Sequence, residues 1–294
     1  MSGLFFIVNS RSKSTQQAQF TRALLTHIAD RKHEVHRTEY AGHAEVLARE
    51  AVQKNAQAII AVGGDGTVNE VVQAIGLSGI PLGIIPMGSG NGLARHAGIP
   101  VNINLAMQLL VQGEIQAVDL AQANDYFFVS NCGFGFDAYI TQQIKHEKNR
   151  GLPMYINACL KGYFQYPVNT FQITLNGETL ERKAFMLNIA NGREFGYGFT
   201  IAPQAGMQDG LLDVLIIKPF PWYQSIGLMK DAWLKRWDKN SLCEHHRANS
   251  ITVSGPTSLS LQTDGDARNS ATEYHIFVHP NALNLVVPKG QTQL

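Results

Sequence analysis

The stretch Ile59 to Ile75, IIAVGGDGTVNEVVQAI, constrains this chain more than any other. Ile59-Ile60-Ala61-Val62 reads as a buried strand, and Val68, Val71, Val72 and Ile75 follow at the i, i+3, i+4, i+7 spacing of a helix face. Strand, glycine turn and helix are therefore expected in that order. Gly63, Gly64 and Gly66 carry no Cβ, so main-chain N–H groups can approach a polyphosphate where the helix dipole favours negative charge. Asp65 is out of place in such a nest unless it holds Mg2+, accepts a hydroxyl proton or orients water. The plain alternative is a βα turn with an acidic helix start.

On either side the same alternation continues. Leu4 to Val8, Val35 to Thr38 and Pro81 to Ile85 read as further strands, and Ser14 to Ala29, His43 to Gln53, Gly90 to Ala97 and Ile103 to Val111 as helices. This pattern predicts a doubly wound parallel sheet that takes its ligand beyond the carboxyl ends of the strands. Asn9-Ser10, Thr38, Gly63 to Thr67 and Gly88 to Asn91 fall at those ends. After Asn124 the pattern changes to short β-type runs with turns between them, among which Asn176-Gly177 is a strong hairpin signal. Only Ala138 to Lys148 and Tyr223 to Trp237 look helical there. The expectation is an N-terminal α/β nucleotide-binding domain over residues 1–125, followed by a mainly antiparallel β-sandwich domain over residues 126–294, with an active-site cleft between them.

Composition narrows the function. A net charge of +1 gives no basic field of the kind that would suggest nucleic acid. Cys132, Cys159 and Cys243 have no metal or disulfide spacing, which points to a reducing compartment and a cytoplasmic protein. No run approaches the ~18 apolar residues of a spanning helix, so any membrane contact would be peripheral, at the inner face. The ten histidines show no ligand spacing, and His245-His246 reads as a polar loop. The apolar residues Trp222, Ile226, Met229, Trp233 and Trp237 form one stripe that either docks on lipid headgroups or packs on a core.

Gly-Gly-Asp-Gly-Thr at 63–67, Pro86-Met87-Gly88-Ser89-Gly90-Asn91 one helix later, Gly206 to Asp213 and Thr263-Asp264-Gly265-Asp266 occur in the order found in the diacylglycerol kinase catalytic domain family. That family includes sphingosine and ceramide kinases and small bacterial lipid kinases, and the chain resembles it over nearly its whole length. The resemblance implies ATP and Mg2+ as cofactors and a lipid acceptor. It implies nucleotide contacts at Asn9, Thr38, Gly63, Gly64, Asp65, Gly66, Thr67, Asn69, Glu70, Gly88, Ser89 and Asn91. Arg150 matches a position that reaches nucleotide phosphates, or else belongs to a solvated helix end. Asp137 matches a residue facing the acceptor head, or else caps a helix. Asp209 with the carbonyls of Gly206 and Leu211 matches a structural Mg2+ site, the alternative being a β-turn. Asp266 stands where the family usually has a glutamate proposed as general base, one methylene shorter, so Asp65 is the other candidate. Gly92 replaces an aspartate common in diacylglycerol kinases. A homodimer is compatible with all of this.

Two rival readings follow from the same residues. A kinase of a soluble acceptor, as in NAD kinase, shares the Gly-Gly-Asp-Gly chemistry. A non-catalytic lipid-binding regulator would be expected to lack Asp65 or the last acid, and both are present.

Overall fold

A computed structural model describes residues 3–145, 152–196 and 199–291. The chain forms two units, Met1–Leu120 with Pro280–Leu294, and Ala121–His279. The expected division at residue 125 differs from this one, because the last strand returns residues 280–294 to the first unit.

The first unit runs β1 (Leu4–Val8), α1 (Ser14–His27), β2 (His33–Arg37), α2 (His43–Gln53), β3 (Ala58–Gly63), α3 (Asp65–Ile75), β4 (Leu82–Pro86), α4 (Gly92–His96) and α5 (Ile103–Gln112). Strand β5 (Glu114–Ala123) then leads into the second unit. Strands β2, β1, β3 and β4 lie side by side and parallel. Phe6, Ile7, Val8, Ile59, Val62 and Leu82 are buried, so β1, β3 and β4 are apolar almost throughout, while β2 exposes Glu34 and Arg37 as an edge strand. Helices cover the sheet through faces such as Phe20, Ala23 and Leu24 of α1. The Asn102 side chain caps α5 by accepting from the N–H groups of Asn104 and Leu105. Pairing of Val8 with both Arg37 and Val62, and of Gly63 with Pro86, brings the four strand ends to one edge.

The second unit adds β6 (Tyr126–Phe128), β7 (Asn131–Gly135), α6 (Phe136–Ile144), α7 (Leu152–Tyr163), β8 (Asn169–Leu175), β9 (Glu178–Ala184), β10 (Met186–Ala190), β11 (Glu194–Gly196), β12 (Phe199–Thr200) and β13 (Leu212–Ile217). It continues with α8 (Ser225–Trp233), β14 (Cys243–Ala248), β15 (Ser250–Leu259), β16 (Leu261–Thr263), β17 (Asp266–Ala267) and the first part of β18 (Ala271–Val287), which from Pro280 onward belongs to the first unit. One sheet is ordered β14-β13-β10-β7-β16-β17, and the β18, β15, β8 and β9 strands form the facing layer. Phe134, Leu187 and Val214 of the first meet Phe171, Ile251 and Tyr274 of the second in one apolar core. Three elements depart from expectation. Helix α7 is additional, because its residues mix apolar and polar side chains without a clean periodic face. His245 and His246 lie in β14, where alternation of side chains sends His245 to Asp213. Trp237 turns away from the stripe, since Lys235 takes positive φ after α8 and redirects the chain onto the core.

Two hairpins close on turns whose central residues both have positive φ. Asn176-Gly177 joins β8 to β9, and Asp264-Gly265 joins β16 to β17. At the second turn the Asp264 carboxylate accepts from the N–H groups of Val129 (2.9 Å), Ser130 (2.8 Å) and Asn131 (3.1 Å). One side chain thereby fixes the hairpin to the start of β7. Asp264→Ala should strip all three main-chain donors and lower unfolding free energy by on the order of 2 kcal/mol or more, read by denaturant titration. An unchanged midpoint would show that the carboxylate does not hold this turn.

Candidate functional site

At the shared edge of the first unit, Asp65 opens α3 and does not project freely. Its two oxygens accept from the N–H groups of Asn91 (2.8 Å) and Gly92 (2.7 Å), which lie on the second glycine loop. The two loops touch main chain to main chain: a Cβ on Gly88 would lie 2.5 Å from the Cα of Gly64. Asn91, at positive φ, shapes the second loop by exchanging bonds with both the N–H and the carbonyl of Gly88. Ser89 is left exposed at its tip. Beside the loops, Asn9 donates to the Thr67 hydroxyl at 3.0 Å, and the Thr38 hydroxyl accepts from the N–H of Ser10. Asn9, Thr38, Gly63, Gly64, Asp65, Gly66, Thr67, Gly88, Ser89 and Asn91 are thus gathered at the ends of β1 to β4.

Asn69 and Glu70 belong to the frame around this gathering. Asn69 is buried, and Glu70 accepts from the N–H groups of Gly42 and Ala44, capping α2 from outside its own helix. Arg95 was not singled out in the sequence. It lies one turn beyond Asn91 and donates from Nε to the carbonyl of Gly90 at 3.0 Å, holding a guanidinium at the second loop. Its only sequence signal was its place four residues after that asparagine.

In the second unit, Asp137 sits in the first turn of α6 and is 3 % exposed. Gln262 donates to its Oδ2 at 2.7 Å and also to Asn131, which accepts from Asn188 as well. Burial pushes the Asp137 carboxyl up from 3.8 to about 6, against the opposing hydrogen bonds from Gln262 and Asn188. Asp266 is half-buried at the start of β17, directly after the Asp264-Gly265 turn. Asp264 itself was overlooked as an anchor, although an Asp-Gly pair between β-type runs is a hairpin signal.

Asp209 lies in the bend before β13, where its Oδ1 accepts from the N–H of Leu211 and its other oxygen from Arg247. Arg247 also approaches Asp213 at 3.4 Å, and the Asp213 carboxylate accepts from His245 Nε2 at 2.6 Å. One carboxylate and two carbonyls, from Gly206 and Leu211, have the oxygen chemistry that suits Mg2+. Arg247 already balances that carboxylate, so an ion held there would have to share it with the guanidinium. Among the described residues no three His, Cys, Asp or Glu side chains cluster as metal ligands. Arg150 lies outside the described residues.

Residues 3–123 match the diacylglycerol kinase catalytic domain, and residues 130–287 match the YegS C-terminal NAD kinase beta sandwich-like domain. An α/β unit with two apposed glycine loops, followed by such a sandwich, defines a kinase of the diacylglycerol kinase class. The chain is 30% identical over 258 residues to a probable lipid kinase YegS-like protein of Pseudomonas putida, covering 86% of this chain and 85% of that one. It is 27% identical to one of Cronobacter sakazakii, with 98% and 96% covered. The chain belongs to the YegS-like lipid kinase family. Its fold also matches the crystal structure of a putative diacylglycerol kinase from Bacillus anthracis with TM-score 0.78, 24% identity and 97% of each chain covered.

Two outcomes test this geometry. Asp65→Asn leaves one acceptor for two N–H donors and sets its amide against the other, so the amides of Asn91 and Gly92 should exchange hydrogen at least ~10-fold faster. Unaltered exchange would mean the loops do not depend on the carboxylate. For Asp137 the folded carboxyl titrates near 6 and the unfolded one near 3.8, so its burial cost is absent below the lower value and complete above the higher. Relative to Asp137→Asn, the wild type should therefore lose about 2 kcal/mol of stability between about pH 4 and pH 7. Parallel stability curves for the two proteins would rule this out.

Proposed function

We propose that this chain is an ATP-dependent lipid kinase that moves the γ-phosphoryl group to a hydroxyl of a long-chain lipid, such as diacylglycerol or a sphingoid base. The observation that carries this reading is the pair of glycine loops tied together by Asp65 at the ends of β3 and β4. The N-terminal end of α3, where the helix dipole favours negative charge, suits phosphate oxygens beside Gly63, Gly64, Gly66 and Thr67. Gly88, Ser89 and Asn91 border the phosphates on the second loop, and Asn9 and Thr38 flank the nucleotide. Asn69 and Glu70 serve it through the frame of α3 and α2. Arg95 supplies positive charge for the transferring group, and Arg150 does so by resemblance.

Both oxygens of Asp65 are engaged by main-chain donors, so its part is to position the loops. The proton acceptor is then Asp266. As the lipid hydroxyl oxygen forms its bond to the γ-phosphorus, the bond to the β-phosphate oxygen breaks, ADP leaves and the hydroxyl proton passes to the Asp266 carboxylate. Asp137, held by Gln262, faces the acceptor's polar head. Mg2+ bound with ATP would neutralise phosphate charge, and Asp209 with the Gly206 and Leu211 carbonyls would hold a structural Mg2+. The three cysteines are free, in keeping with a cytoplasmic enzyme. Among the described residues no helix is long and apolar enough to cross a membrane.

A soluble acceptor is favoured by one observation only, the NAD kinase-like description of the domain matched at residues 130–287. ATP consumption with NAD, compared with short-chain diacylglycerol and sphingoid bases, separates the two readings. Asp266→Asn should lower kcat by ~100 to 10,000-fold with ATP binding little changed, whereas Asp266→Glu, which restores a longer acid, should keep much of the activity. Near-normal kcat in Asp266→Asn would remove Asp266 from the role of base.

A further inference from the structure

More than half of the large apolar side chains exposed among the described residues lie on two segments of the second unit. These are α7 with the residue after it, and residues 222–234, a 3-10 turn continuing into α8. Helix α8 turns Leu228 inward onto a core that includes Phe185 and Leu215. Its opposite face presents Ile226, Met229 and Trp233 at 70%, 52% and 68% exposure, with Trp222 one turn earlier at 59%. Leu160 and Phe164, four residues apart, are 65% and 75% exposed. The two stripes adjoin, because the Tyr163 hydroxyl donates to the Phe220 carbonyl and the two rings lie 5.8 Å apart. Single exposed apolar residues need no explanation, but a contiguous stripe of this kind marks an interaction surface.

Charge selects the occupant. Residues 218–239 contain Lys218, Lys230, Lys235, Arg236 and Lys239 against Asp231 and Asp238. A second copy would bring the same excess of positive charge against itself, whereas an anionic bilayer complements it. Tryptophans beside lysines also suit the boundary between headgroups and acyl chains. We infer that the exposed faces of α7 and α8 form a docking surface for a bilayer that carries anionic headgroups, the apolar stripe entering the headgroup boundary. The inference rests on the lipid-kinase reading, which places the acceptor's chains in such a bilayer.

The test uses vesicles of phosphatidylcholine containing brominated acyl chains, with and without a minority of phosphatidylglycerol. Trp222 and Trp233 should be quenched and blue-shifted, more strongly with the anionic lipid and less so at high salt. Trp222→Phe with Trp233→Phe should abolish the quenching, because the remaining Trp237 packs on the core. Ile226→Asp with Met229→Asp should weaken vesicle binding by at least ~10-fold. The same variant should leave turnover of a water-dispersed short-chain acceptor unchanged. The docking inference is overturned by equal vesicle binding of that variant, by no binding of the wild type, or by a wild-type dimer that the variant dissociates while vesicle binding persists. Absence of turnover with the short-chain acceptor in both proteins would instead refute the kinase reading, while the fluorescence result still decides the docking surface.

Discussion

The carboxylate of Asp65 is the constraint on which the first unit's site depends. Two glycine loops meet where neither can carry a Cβ, so side-chain packing cannot hold them together. A charge-assisted pair of hydrogen bonds to Asn91 and Gly92 does so instead. The negative charge that looked out of place among these glycines is thereby balanced by main-chain N–H donors. Helix α4 begins at those same N–H donors, so one side chain both joins the loops and caps a helix.

The second unit solves a similar problem with a similar device. Asp264 spends its carboxylate on three main-chain donors, and Asp266, two residues on, is left at the end of a fixed hairpin. In both places an acid next to glycine organises backbone through main-chain donors. Asp137 differs, since its partners are side chains and its burial raises its proton affinity. Its surroundings of Gln262, Asn131 and Asn188 form a polar island within a mostly apolar sandwich.

The alternation of strands and helices before residue 112, the sandwich after it and the Asn176-Gly177 hairpin were legible because each is written in local periodicity or turn chemistry. The gathering of Asn9, Thr38 and Thr67 was legible because carboxyl ends of parallel strands share an edge. The engagement of both Asp65 oxygens was not, since it joins residues 26 and 27 positions apart through main-chain donors that carry no side-chain signature. The resemblance implies a nucleotide contact at Glu70, and local sequence carried no sign of its bonds to the N–H groups of Gly42 and Ala44 at the start of α2. Helix α7 lacks the clean inward stripe that periodicity detects, and its exposed apolar face blurs the pattern further. Trp237 left the predicted stripe because a single positive φ at Lys235 ends the helix register.

The return of β18 to the first unit has a consequence for synthesis. Leu285 pairs beside Leu82 on β4, so an early-made strand waits for a partner encoded some 200 residues later, longer than the whole of the second unit that intervenes. While the ribosome makes that stretch, β4 presents an open, fully apolar edge in a nascent half-domain. The N-terminal unit is complete only when the C-terminal strand has emerged. Translation thus makes β4 and the end of β18 partners in a single late folding event, and a ribosome that stalls within the sandwich leaves behind an adhesive fragment instead of a finished domain.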